Sequence, residues 1–370
     1  MERKADLQAL IINKSRRLQK QKEQQALKGI DTPAHVLIEI EDLEVEIEQL
    51  QADLIALREA SDAELENDSQ NSPPVEAAPP EETVNRLPVL QNGSRLLNRF
   101  TIEGFIGRGG FSDAYLAWDQ VKDCEVVVKR LPISATSPDF LKRFVDREIK
   151  VARRVAPLDI PGLVKTHEVI QTPDDVCLVQ ERLPGRSLHH RIRDKVLLDE
   201  PEAIETAIKV SQTLSQLHRH KIVHCDVKPL NIVLRAPRHP ILVDLGAARF
   251  FGEQLAEAQV VFSVPYAPAE LLTGQPVDGR VDMYALSLTL LHMLTGLHAY
   301  DDMYDTMPMP EHIRIGRRPN QKTIRQHIVA ALAMITSPEL RSIIETALAE
   351  TPDDRYPTME LFTQALITYQ

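Results

Sequence analysis

Between residues 7 and 27, Leu and Ile recur among Gln, Lys and Arg, a helix-forming composition that Gly29 would close as a C-terminal cap. Thr32 and Pro33 then supply an N-cap and a first-turn proline for a second helix. Its apolar residues Val36, Ile40, Leu43, Ile47, Leu50, Leu54 and Leu57 alternate spacings of four and three, an a/d seam with acidic residues between. A lone helix leaves such a seam in water, so it must pack on the first helix, on a second copy, or on both. Residues 1–60 are therefore expected to form an α-helical hairpin or coiled coil, an interaction module for a homo-oligomer or a partner's helical module. Residues 61–95 mix Asp62, Glu64, Glu66, Asp68, Glu76, Glu81 and Glu82 with Ser, Asn and paired prolines. Little there offsets the entropy of ordering, and a disordered acidic, Pro-rich linker is expected.

After Phe100 the pattern turns to short β segments at 100–106, 114–118, 125–131, 164–170 and 176–181, interrupted by a helix that Ser137 and Pro138 would start. From Pro201 onward helical patterns dominate, broken by strand-like runs at 232–234 and 241–243. The apolar stretch 284–300 is interrupted by Ser287, His292, Gly296 and His298, and is short for a membrane span; it reads as a buried core helix. A small β-rich lobe followed by a larger helical lobe is an α+β arrangement, with a ligand cleft expected between the two.

Composition narrows the function classes. Hydrophobic residues make up 43% of the chain, enough for a sizeable core. The net charge of −11 argues against a nucleic-acid partner, because binding a phosphate backbone needs a surplus of Lys and Arg. Cys124, Cys177 and Cys225 are isolated and odd in number, neither a metal cluster nor a disulfide framework, which suits a reducing compartment. The polar start lacks a signal peptide's apolar stretch. A soluble, cytoplasmic protein without nucleic-acid or membrane partners is expected.

The chemistry-bearing residues come in order along the chain. Gly107-Arg108-Gly109-Gly110-Phe111 lies between two β segments, where glycines let backbone N–H groups approach phosphate oxygens; by itself such a hairpin is an ordinary turn. A strand follows it, which rules out a strand-to-helix dinucleotide fingerprint. Lys129 ends an apolar strand and could point to solvent. Glu148, however, falls on the apolar face formed by Leu141, Phe144, Val145, Ala152 and Val155, and a carboxylate there needs a cation. Lys129 is the natural partner, and the pair would hold its ammonium toward a phosphate. The densest run is 222–231, Ile-Val-His-Cys-Asp-Val-Lys-Pro-Leu-Asn, followed by Asp244 in Val243-Asp244-Leu245-Gly246. Two aspartates and an amide from adjacent loops suit Mg²⁺, a hard cation that shares oxygen ligands with substrate phosphates.

This ordered set resembles the eukaryotic-like Ser/Thr protein kinases of bacteria, over most of the chain. The resemblance implies the bilobal kinase fold over 96–370, with an N-lobe at 96–183 and a C-lobe at 184–370. It implies ATP and Mg²⁺ as cofactors and proteins as substrates. Ile106, Gly107, Arg108, Gly109, Gly110, Phe111, Ala114 and Val233 would enclose the nucleotide, Gln180 would be the gatekeeper, and the backbone of Glu181 and Leu183 would meet adenine. Lys129 and Glu148 match the strand lysine and helix glutamate. Asp226 would orient and accept the proton of the substrate hydroxyl, Lys228 would steady the transferring phosphoryl, and Asn231 and Asp244 would hold Mg²⁺. Tyr266-Ala267-Pro268-Ala269-Glu270 resembles the Ala-Pro-Glu segment, Asp282 its helix aspartate, and Arg355 the late arginine that pairs with Glu270. Lys228 and Ser263 favour Ser/Thr over Tyr substrates. Small-molecule phosphotransferases share the Asp, Asn, Asp core but generally lack the Ala-Pro-Glu-like segment and late arginine; a pseudokinase is opposed by the intact Lys129, Asp226, Asn231 and Asp244.

Departures carry expectations of their own. Ser112 and Ala114 replace a glycine and a valine in the loop, which should alter nucleotide affinity. Cys225 stands where the family has the arginine that answers loop phosphorylation, and between Ala247 and Pro265 the one hydroxyl side chain is Ser263. Control through the N-terminal module, rather than through loop phosphorylation, is the expectation. The basic run Arg314, Arg317, Arg318, Lys322 and Arg325 is either a solvated face or a dock for an acidic partner. The N-terminal segment loosely resembles helical modules that front signalling proteins in multidomain bacteria.

Overall fold

The computed structural model describes residues 89–108, 112–132, 139–172, 175–194, 196–254, 264–297 and 321–370. All of them belong to one compact unit, Glu82–Gln370. The helical module expected at 1–60, the loop tip 109–111, the cap at Ser137 and most of the basic run lie outside the described residues.

The N-lobe is one antiparallel sheet in the order β1-β2-β3-β4-β6-β5: β1 (Arg95–Leu96), β2 (Phe100–Arg108), β3 (Asp113–Asp119), β4 (Cys124–Pro132), β5 (Thr166–Gln171) and β6 (Asp175–Glu181). Burial along β3 alternates strictly, Tyr115 and Ala117 inward and Leu116 and Trp118 half-buried, as a sheet with two unlike faces requires. One face encloses Phe100, Ile102, Tyr115, Val126, Val128 and Val179. The other packs Leu131, Val176 and Leu178 against Phe144, Val145, Ile149 and Ala152 of helix α1 (Asp139–Val155). Of the apolar stripe read from the sequence, Phe144, Val145, Ala152 and Val155 are buried, and Glu148, 2% exposed, lies among them.

The linker expected at 61–95 ends earlier than 95. Gly93 N donates to Ile102 O at 2.8 Å, Arg95 pairs with Thr101, and Leu90 packs on the Phe100 cluster. Leu90 and Leu96 have apolar surface to bury, and a compositional boundary drawn on acidic and proline content misses that.

The C-lobe is built on α3 (Glu200–Arg219), α5 (Gly279–Thr295) and α8 (Met359–Tyr369), with α2 (Leu188–Arg193), α4 (Ala269–Leu272), α6 (Gln321–Ala333) and α7 (Pro338–Ala347) around them. Asp199 caps α3 by accepting from Glu202 N at 2.8 Å, and Gly296, at φ +68°, ends α5 in a left-handed turn. Helix α5 is buried on every side except at Gly279, Arg280, Tyr284 and Leu294, which explains its nearly continuous apolar sequence. Two small sheets accompany this core: β7 (Arg186–Ser187), β9 (Ile232–Ala236) and β10 (His239–Leu242), then β8 (Ile222–Val223) with β11 (Arg249–Phe250). The strand expected at 241–243 stops at Leu242. Val243 leaves the ladder because its N–H goes to Asn231 O at 2.9 Å and its carbonyl accepts from the His224 ring at 3.1 Å. That exchange starts the functional site.

Candidate active site

Register carries the first contacts. Ala114 pairs with Gly107 on one side and with Lys129 on the other, so the base of the glycine loop and the lysine sit on adjacent rungs. Arg108 and Asp113 close the loop's base, Nε to Oδ1 at 2.6 Å and Nη2 to Oδ2 at 2.9 Å. Neither distance nor pairing was foreseen for Asp113; a cation and an anion flanking a four-residue tip is the signal that reveals it.

Lys129 Nζ donates to Glu148 Oε1 at 2.7 Å and to Asp244 Oδ1 at 2.6 Å. Three charges of the sequence reading therefore meet at one ammonium. Burial disfavours the charged lysine, but the two carboxylates more than reverse this and raise its pKa. Burial holds the Glu148 carboxyl above the usual carboxylate range, with Lys129 opposing. Burial also pushes on Asp244, yet the Lys129 ammonium, with Lys228 and the Gly246 N–H behind it, keeps that carboxyl well below its ordinary value. Asp244 therefore stays ionised through the physiological range.

The loop that carries Asp226 is held by a carboxylate from α5. Asp282, fully buried on α5, accepts from His224 N and Cys225 N, each at 2.8 Å, and bonds the His218 ring at 2.8 Å. Those bonds hold Cys225 at φ +62°, a left-handed conformation costly for a residue with a Cβ. Asp226 then projects next to Lys228 Nζ and Asn231 Nδ2, which reach its Oδ2 at 2.8 and 2.9 Å. Asn231 also donates to Asp226 O at 2.8 Å, so both of its bonds to Asp226 are made through the amide nitrogen. Burial raises the Cys225 thiol well above its ordinary pKa, with Asp282 adding to the effect, and the neutral thiol is a poor nucleophile.

Of the other expected residues, Glu181 pairs with Val126, accepts from Lys165 N at 2.9 Å and holds Arg235; Gln180 pairs with Val127; Val233 pairs with Ser187 and Ile241. Gly109, Gly110 and Phe111 are outside the described residues. Among the described residues no group of three His, Cys, Asp or Glu side chains forms a metal site by itself. The donors at hand, Asp244 and Asn231, are hard oxygens of the number that suits Mg²⁺ shared with phosphates. Glu270 receives Arg355 Nη1 at 2.6 Å and Nη2 at 3.1 Å, joining the Ala-Pro-Glu-like segment to the C-terminal helices.

Gly246 was read only as part of a motif. A Cβ there would lie 2.9 Å from Lys129 Nζ and 3.1 Å from Asp244 Oδ1, so both must shift. Gly246→Ala is expected to lower kcat/KM for ATP by about 10- to 100-fold. Stability should change by less than about 1 kcal/mol, since a flexible lysine end yields. Steady-state kinetics beside a thermal melt checks this.

The comparison with known sequences decides the family: the protein kinase domain profile matches residues 100–367, most of the chain. The chain belongs to the protein kinase family. Among curated proteins this chain is 32% identical over 276 residues to the serine/threonine-protein kinase PknB of Mycolicibacterium smegmatis, covering 71% of this chain and 41% of the relative. It is 28% identical over 269 residues to the probable serine/threonine-protein kinase PknB of Corynebacterium glutamicum, covering 71% and 41%. It is 28% identical over 271 residues to the serine/threonine-protein kinase PrkC of Bacillus subtilis, covering 72% and 40%. The matched part thus spans about two-fifths of the length of these relatives. No helix among the described residues is long and apolar enough to cross a membrane.

Proposed function

We propose that this chain is a Ser/Thr protein kinase that moves the γ-phosphoryl group of ATP to a protein hydroxyl. The observation that carries the reading is the meeting of Lys129, Glu148 and Asp244 at 2.6–2.7 Å beside an Asp226 oriented by Lys228 and Asn231. In this reading Lys129, kept in place by Glu148, holds the α- and β-phosphates, under a loop that runs through Ile106, Gly107 and Arg108 to Ala114. Asp226 positions the acceptor hydroxyl and takes its proton, and Lys228 offsets charge on the transferring group. Asp244 and Asn231 would hold Mg²⁺, which supplies charge neutralisation along the phosphates. The backbone of Glu181 and Leu183, with Val233, would hold adenine. Lys228, two residues past Asp226, and relatives named as serine/threonine kinases support the hydroxyl class.

The assignment includes the domain plan: a helical module at 1–60 that recruits a like module or a second copy, a linker, and the kinase domain. It also includes a cytoplasmic location.

The test is incubation of the full chain with γ-labelled ATP, Mg²⁺ and generic protein substrates. Label on serine or threonine that disappears when the divalent ion is chelated, and returns when Mg²⁺ is restored, is the expected result. Label on aminoglycoside or choline acceptors instead of protein would replace this reading, and no label on any acceptor would leave a nucleotide-binding scaffold.

A further inference from the structure

The strap that brings the chain into the domain, residues 89–96, is hydrogen-bonded to the root of the glycine loop. Leu90 N donates to the Tyr115 hydroxyl at 3.3 Å, and that hydroxyl donates to Asp113 Oδ2 at 3.3 Å. Asp113 in turn grips Arg108, at 2.6 Å to Nε and 2.9 Å to Nη2. Tyr115 is fully buried, and a phenol away from water depends on such partners. Burial holds it above its ordinary pKa, so it keeps the proton it donates.

Register gives the relay its direction. Asp113 stands opposite two arginines, Arg108 on β2 and Arg130 on β4. Arg130 is committed to Asp175, Nε to Oδ1 at 2.8 Å and Nη2 to Oδ2 at 2.9 Å, so Asp113 bonds on the loop side. Arg108 ends β2 and Asp113 begins β3, so their pair ties both arms of the loop at the base, one residue from the rung that Ala114 shares with Lys129. The strap has its own anchor. Gly93 N donates to Ile102 O at 2.8 Å, Ile102 N donates to Ser94 O at 2.9 Å, and Leu90 and Leu96 pack in the apolar cluster around Phe100. Both 3.3 Å links are long for hydrogen bonds and can part while the sheet stays intact.

We propose that Tyr115 is a positioning residue for ATP, acting through Asp113 and Arg108, and that the strap sets how firmly the root of the loop is held. A root fixed before the nucleotide arrives has less conformational entropy to lose on binding. Residues 1–88 join the domain at this strap, so displacing it from Tyr115 is a form of control open to whatever they engage: nucleotide affinity falls, and turnover at saturating ATP does not. The assignment rests on the kinase reading.

Tyr115→Phe in the full chain removes the hydroxyl and keeps the ring. Kd for a non-hydrolysable ATP analogue with Mg²⁺, measured by calorimetry, and KM for ATP should both rise about three- to tenfold, with kcat within about twofold of wild type. In the nucleotide-free chain, amide exchange at 106–108 and 113–114 should quicken by a similar factor. Leu90→Pro deletes the strap's N–H donor; it should reproduce the rise in Kd and add little to it in the Tyr115→Phe background. Ile102→Val controls for general softening, since it trims the same apolar cluster at a comparable cost in stability without touching the relay's side chains, and its Kd should match wild type. Unchanged Kd in Tyr115→Phe, an effect confined to kcat, full additivity with Leu90→Pro, or an equal rise in Ile102→Val overturns the assignment and leaves the kinase reading standing. A wild-type chain that binds no nucleotide ends both.

Discussion

In an Asp226→Asn variant, phosphorylation of protein substrates falls by about a thousandfold or more, with ATP affinity changed little. The size follows from what the carboxylate does: a positioned base contributes about 10²- to 10⁴-fold, and its loss also removes the negative charge that Lys228 faces at 2.8 Å. The amide is nearly isosteric and keeps one oxygen for Asn231 or Lys228, so the loop should hold its shape. Turnover on a generic substrate, nucleotide binding and a thermal melt, measured together, separate chemistry from folding. Residual turnover within tenfold of wild type would remove Asp226 from the role of base.

Arg355→Ala should unfold more than it inactivates. Arg355 is 3% exposed, with five hydrogen bonds: two to Glu270 and one each to Ala349 O, Arg280 O and Glu350 O. It also stacks over Tyr284, 4.9 Å from the ring centre. Truncation leaves Glu270, 6% exposed, as a buried carboxylate without its counter-charge. Breaking a buried pair from one side costs about 3–5 kcal/mol, or roughly 6–20 °C in Tm for a domain of this size. Arg355→Lys should recover part of the loss, because an ammonium keeps the charge but not the fork. A drop under about 2 °C in the alanine variant would show that the pair contributes little to stability.

Most of this architecture was readable along the chain, for identifiable reasons. Glu148 stood out because a carboxylate in an apolar stripe demands a cation, and the expected partner, Lys129, is 2.7 Å away. The glycine hairpin, the β-rich start and the buried helix around 284 follow from periodicity that packing then uses. The start of the domain was placed too late because Leu90 and Leu96 lie close to acidic and proline-rich sequence, which masks short apolar contacts. Arg249 gave no warning: an arginine in a short strand reads as solvent-facing, and its burial at 2% exposure arises from tertiary packing that no local pattern reports. Asp282 was identified by family resemblance alone; its bonds to His224 and Cys225 arise from tertiary contact across 58 and 57 positions.

Asp282 gives the molecule an unusual dependency. The backbone that presents Asp226 is pinned by a side chain rooted in a deeply buried helix of the large lobe. Loosening the reactive loop by itself would strip two backbone hydrogen bonds from an interior carboxylate, so competence and the integrity of that interior rise and fall together. Heat should therefore extinguish turnover over the same narrow interval in which the large lobe melts, rather than in a milder step ahead of it.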